Sequence, residues 1–255
     1  MSDLIKIEIV DRIQIITINR PEARNAINAE VAQALADALD QFDANDGVIV
    51  GILTGAGNSF SAGMDLKAFA RGGERPYIPG RGFAGICEKP PGKPIIAAVE
   101  GYALAGGCEI ALACDLIVAA DNAQFGLPEV KRGLVPGSGG MLRLPKRIPH
   151  HIAMEMVLTG TMMPAARACQ YGLVNRLTEP GQALEGALAL ARVIAGNGPL
   201  AVRTAKQVLT ESKDWRQEDM FDLQRPRIAP IFASADAKEG STAFAEKRPP
   251  VWQGK

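Results

Sequence analysis

Two glutamates stand twenty positions apart: Glu109, in the first turn of a helix that Ala105-Gly106-Gly107 would open, and Glu129, after a Phe125-Gly126-Leu127-Pro128 turn. Glycines permit a backbone to approach a ligand closely, and free amides at a helix start attract an oxyanion. An amide of that kind beside a carboxylate is, in outline, a site for proton transfer next to developing negative charge. Spacing alone leaves a second reading equally open, in which Gly106-Gly107 packs a helix on a strand and both glutamates are solvated.

Holding such residues takes strands that end at the glycine turns and helices that begin there. Ile5 to Val10 and Ile13 to Ile18, split by Asp11-Arg12, predict a hairpin. Val31, Leu35, Ala38, Leu39 and Phe42 recur at helical spacing behind Asn28, a suitable cap. Val48 to Thr54 is continuously apolar, as in a strand buried on both faces, and Ile95 to Val99 repeats the pattern ahead of Gly101. Ser59 to Lys67 is a small-residue loop opening a short helix that reaches Ala70, and its backbone could also face a ligand. Residues 71–94, crowded with glycine and proline, read as a mobile loop on the substrate side. Asp115 to Ala120 and Ala123 to Gly126 predict further strands. Amphipathic segments at His150 to Leu158, Ala165 to Tyr171, Ala183 to Ala195 and Leu200 to Ser212 make the last third mainly helical. The tail carries Phe244 and Trp252, so it is expected to dock on something. The class is α/β.

Totals narrow the function. The chain has 255 residues, with Lys+Arg 28 against Asp+Glu 28, so overall charge gives no case for nucleic acid or an anionic membrane surface as a partner. Cys87, Cys108, Cys114 and Cys169 form no C-x-x-C pair, and the two histidines, His150 and His151, are adjacent. That pattern suggests neither a disulfide scaffold nor a metal site, and reduced thiols in the cytoplasm are the simpler expectation. The charged start MSDLIKIEIVDR has no apolar core of signal-peptide length, and no run nears the ~18 apolar residues of a membrane span. A soluble enzyme acting on a small molecule is expected.

Five blocks, in order and spacing, resemble the enoyl-CoA hydratase/isomerase (crotonase) family. They are Asn19-Arg20-Pro21 with Asn25-Ala26; Phe60-Ser61-Ala62-Gly63-Met64-Asp65-Leu66; Gly101-Tyr102-Ala103 with Gly106-Gly107-Cys108-Glu109; Phe125 to Glu129; and Pro136-Gly137-Ser138-Gly139-Gly140. Within the family, the text is most similar to the carnitinyl-CoA dehydratase subgroup, through Gly63 to Ala68, Gly82 to Gly85, Arg143 to Lys146 and Phe244 to Arg248 with Val251-Trp252. It departs at Met64, where tryptophan or another residue can stand, and that side chain could border the acyl pocket.

The resemblance implies a crotonase-type spiral of ββα units over residues 1–198 and a helical segment over 199–255 used in trimerisation, with a homotrimer or dimer of trimers as the assembly. It implies that the amides of Met64 and Gly106 hold the thioester oxygen, that Glu109 activates water, and that Glu129 gives a proton to C2. The helix start favours an ionised Glu109 and is silent on Glu129. No permanently bound cofactor is implied, because coenzyme A arrives as part of the substrate, near Arg24, Ala26, Ala62, Asp65, Leu66 and Lys67. Phe244 and Lys247 resemble positions through which a neighbouring subunit closes the nucleotide pocket; a plain interface helix is the equal alternative. For a trimethylammonium acyl group, Tyr77, Phe83 and Tyr102 are candidates for an aromatic cage.

Overall fold

The computed structural model describes residues 3–255, so Met1 and Ser2 at the head of the charged N-terminal run lie outside it. The opening hairpin forms as predicted. β1 (Ile5–Val10) and β2 (Ile13–Ile18) pair antiparallel with Val10 opposite Ile13. Asp11 and Arg12 take φ of 50° and 65°, the two-residue turn whose twist suits a hairpin. α1 (Ala29–Ala44) buries Val31, Leu35, Ala38, Leu39 and Phe42, and Asn28 caps it by accepting from the Val31 amide. β3 (Val50–Gly55) starts later than expected, since Val48 and Ile49 are buried in the turn that enters it, bonded to Asn45 and Arg12 carbonyls.

α2 (Leu66–Ala70), β4 (Tyr77–Ile78), β5 (Gly82–Phe83), β6 (Ile95–Val99), β7 (Tyr102–Leu104), α3 (Gly106–Ala113), β8 (Leu116–Ala120) and β9 (Gln124–Gly126) follow. Next come α4 (Gly140–Arg143), α5 (His150–Thr159), β10 (Met162–Pro164), α6 (Ala165–Gln170), β11 (Arg176–Thr178), α7 (Ala183–Ala195), α8 (Pro199–Glu211), α9 (Met220–Phe232) and α10 (Ala235–Glu246). The short strands β7, β10 and β11 carry no apolar run long enough to announce them. Residues 71–94 differ from the expectation of a mobile loop: they contain the β4–β5 hairpin, and Phe83 to Cys87 are buried in the core. Their glycines and prolines shape turns in packed chain rather than a free segment.

The main sheet has the order β1-β2-β3-β6-β8-β11, parallel from β2 onward. Its inner strands β3, β6 and β8 are nearly all apolar because both of their faces are covered, whereas the edge strands β1 and β11 carry exposed polar residues. Ile13, Ile15, Val50, Ile52, Ile96, Ala98 and Val118 point to one face, against Ala187, Leu188 and Ala191 of α7. Ile16, Ile18, Leu53, Ile95, Ala97, Val99 and Ile117 point to the other, with α1 and α3. After β3, β6 and β8 the chain crosses into a second, smaller sheet of order β10-β9-β7, extended by the bridge Ser61–Ala103. The turns β6–β7–α3 and β8–β9 thus repeat one path, a spiral of strand, strand and helix. Strand ends, glycine turns and helix starts collect along one side of it.

Candidate active site

Two backbone amides meet where these turns converge. Gly63 takes φ +85°, and a methyl group on it would come 2.7 Å from the Gly106 nitrogen, so only glycine lets the segment through Met64 pass so near the start of α3. Gly63 O accepts from Ile27 N at 2.8 Å and Asp65 N donates to Ile27 O at 2.9 Å, which leaves the Met64 amide between them unpaired among the described residues. Gly106 N, in the first turn of α3, is likewise unpaired, as helix starts are. Phe83 lies against Gly106; a Cβ there would come within 2.5 Å of its ring.

Glu109 stands one turn into α3 and is 3% exposed. Its Oε1 accepts from the Ser138 amide at 2.6 Å and the Gly140 amide at 2.9 Å. Desolvation nonetheless raises its pKa above the ordinary 4.5, with those two bonds working against the rise. Burial thus works against the ionised Glu109 that a helix start favours, while the two amides work for it. Glu129, at the head of a single helical turn over Glu129–Arg132, has a buried Oε2 with no hydrogen-bond partner among the described residues. Burial, aided by the charge of Glu109, lifts its pKa to about 7. Two carboxyls close enough to feel one another thus share a site, one cradled by amides and one poised to hold or release a proton near neutrality.

The predicted coenzyme residues fall on two adjacent segments. Ala62 N donates to Arg24 O at 3.0 Å, and Ile27 bridges Met64, so Arg24, Ala26, Ala62 and Asp65 share one wall. Arg24 and Lys67 are exposed, as is Leu66 on the first turn of α2. The Asp65 carboxylate has structural partners: it caps α2 through the Ala68 amide and accepts from Arg20 at 3.2 Å. Phe244 is 88% exposed on α10, and Lys247, in left-handed conformation, ends that helix.

A family model described as enoyl-CoA hydratase/isomerase matches residues 8–255. The chain belongs to the enoyl-CoA hydratase/isomerase family. A crystal structure of enoyl-CoA hydratase EchA1 from Mycobacterium marinum is 60% identical, with 100% of both chains covered and a TM-score of 0.97. A carnitinyl-CoA hydratase from Mycobacterium avium is 43% identical over 100% of both chains, with a TM-score of 0.80. Carnitinyl-CoA dehydratase of Salmonella arizonae is 46% identical over 248 residues, 94% of each chain. Both the family resemblance and the likeness to the carnitinyl-CoA subgroup are thereby shown, and the spiral is the crotonase fold.

Several residues that shape this crotonase site escaped the sequence reading. Arg20 donates to Ala26 O at 2.7 Å as well as to Asp65. Asn25, fully buried, accepts from Arg20 N and donates to the carbonyls of Ala56 and Ser59. Ser61 Oγ donates to Asn25 O and accepts from Gly63 N. Their only signal was membership in the Asn19-Arg20-Pro21 and Phe60-Ser61 blocks. The aromatic cage does not assemble as a trio. Tyr77 and Phe83 meet edge to face at 5.8 Å, while Tyr102 stands on β7, paired with Gln124 and 41% exposed.

Proposed function

We propose that the protein reversibly adds water across the C2–C3 double bond of a 2-enoyl-CoA thioester. The reading is carried by one observation: Glu109, bonded to two amides, stands one turn along the helix that starts at the unpaired Gly106 amide, and Glu129, its pKa lifted to about 7, is near enough to feel its charge. With the thioester oxygen on Met64 N and Gly106 N, attack at C3 sends charge through C2 to that oxygen, where each donor can contribute ~10²–10³ in rate. Glu109, ionised, takes a proton from the attacking water, and Glu129, protonated, gives one to C2. Dehydration reverses both transfers. Arg24, Ala26, Ala62, Asp65, Leu66 and Lys67 would border the coenzyme A portion, Asp65 through backbone since its carboxylate is engaged. The substrate is a free thioester, with no permanently bound cofactor.

A short to medium acyl group fits this reading. Crotonobetainyl-CoA is the second substrate to test, because two relatives bear carnitinyl-CoA names. A Δ3,Δ2-enoyl-CoA isomerase needs an acid–base group at the α-carbon but no water-holding partner, so the pair of glutamates favours hydration. The test follows loss of the enoyl absorbance of crotonyl-CoA, with mass spectrometry of the product. A product heavier by one water supports hydration; an inert crotonyl-CoA with turnover of a 3-enoyl-CoA would replace it with isomerisation.

The helices after residue 198 are proposed as the oligomerisation segment of a trimer or dimer of trimers. Phe221, Phe232 and Phe244 lie exposed there, apolar surface that a lone subunit leaves in water. A cytoplasmic setting fits a CoA thioester substrate, and no helix among the described residues is long and apolar enough to cross a membrane.

A further inference from the structure

Arg75 occupies a place that the catalytic reading leaves unused. Neighbouring Arg81 is tied to Asp40, but the Arg75 guanidinium has no ion pair or hydrogen bond among the described residues. It is held by an aromatic face instead, its guanidinium carbon 4.7 Å from the Tyr77 ring centroid. Tyr77 is built into the site on two sides. Its hydroxyl lies 2.8 Å from Ser138 Oγ, and the Ser138 amide donates to Glu109. Its ring packs edge to face on Phe83, which covers Gly106. One stack therefore runs from a free cation to both the carboxylate and the amide of the proposed reaction centre.

With C3 of a thioester beside Glu109, an acyl group that runs on past Ser138 and Tyr77 would meet this stack, whose outer end, Arg75, is exposed. A quaternary ammonium there would need an open aromatic face, and the face of Tyr77 already carries the protein's own cation. A carboxylate would instead meet an arginine whose planar donors are uncommitted, a geometry suited to paired hydrogen bonds. We propose that Arg75 is a specificity-determining residue, selecting 2-enoyl-CoA thioesters whose acyl end carries a carboxylate and rejecting those that carry a quaternary ammonium. The inference rests on the hydratase reading for the direction in which the acyl group lies.

Calorimetric titration with saturated thioesters tests it without turnover. Glutaryl-CoA, butyryl-CoA and γ-butyrobetainyl-CoA are titrated into the parent, Arg75→Gln and Arg75→Lys proteins. The parent is expected to bind glutaryl-CoA at least ~10-fold more tightly than the betainyl thioester, a margin in keeping with a charge-assisted pair. Arg75→Gln should bring the two within about twofold while leaving butyryl-CoA affinity and crotonyl-CoA turnover unchanged, and Arg75→Lys should keep the order. A parent margin below about threefold, or an order that survives Arg75→Gln, overturns the proposal. Failure of the hydratase reading would look different: crotonyl-CoA would be inert while the binding order stood.

Discussion

Burial raises both carboxyl pKa values, and what separates Glu109 from Glu129 is the number of amides that offset it. Hydration exchanges no proton with solvent, so kcat/KM for hydration and for dehydration must share one pH profile. Both need a single proton on the pair, which predicts a bell whose limbs belong to the pair. The alkaline limb should fall near pH 7, where Glu129 loses its proton; stopped assays with crotonyl-CoA and 3-hydroxybutyryl-CoA from pH 5 to 9 would check it, and profiles that differ between directions would contradict it. Stability carries the opposite sign from a salt-bridged acid. The folded Glu129 pKa of about 7 exceeds the ordinary 4.5, so the folded state holds its proton longer and loses stability as pH rises through that window. Glu129→Gln should therefore melt higher than the parent at about pH 8, with the gain vanishing near pH 4. Glu109 and Glu129 were legible because their glycine turns are local in sequence. The donors that hold Glu109 were not, since Ser138 and Gly140 lie 29 and 31 positions away and bind through backbone, which side-chain identity does not encode.

At the scale of elements, helix starts and turns do most of the positioning, and their errors can be ranked. Asn28 caps α1 with one part-buried bond to Val31 N, so Asn28→Ala should cost ~1 kcal/mol. Asn25 is fully buried and satisfies Arg20 N, Ala56 O and Ser59 O together. Removing its amide leaves several buried groups unpaired at ~1–3 kcal/mol each, so Asn25→Ala should cost clearly more than Asn28→Ala in urea melts and should lower turnover by loosening the Gly63–Met64 segment. Equal costs would show that the loop is not held through Asn25. Long apolar strands and α1 could be read from periodicity. The short strands β7, β10 and β11 could not, because three residues carry no period, and Pro226 and Pro230 inside α9 look like helix ends by propensity alone. Ala105, at φ 51° before α3, also has no sequence mark; its strained backbone, of the kind that costs ~1–3 kcal/mol, sits beside the proposed amide pair.

Across the whole molecule, the inner strands of the main sheet are covered on both faces by its own helices, whereas α9 and α10 leave Phe232 80% and Phe244 88% exposed. Trp252 does dock, within the same chain: Nε1 donates to Gly196 O at 2.8 Å, and Asp236 accepts from the Gln253 and Gly254 amides. The tail was expected to dock on something, and within this chain it is anchored at the end of α7 and the start of α10. The exposed phenylalanines are a separate matter. Light scattering should find a trimer or hexamer, and Phe232→Ser should shift it toward smaller species; a stable monomer at working concentration would remove the assembly proposal. The spiral follows from alternating strands and glycine turns, but assembly depends on surfaces whose periodicity a single chain does not interpret. The central claim is chemical, and crotonyl-CoA hydration by Glu109→Gln and Glu129→Gln tests it most directly. Each substitution keeps size and much hydrogen bonding while removing a proton carrier, so kcat should fall by at least ~10² with thioester affinity little changed. Glutamine variants that both hydrate crotonyl-CoA near the parent rate would contradict the two-glutamate account.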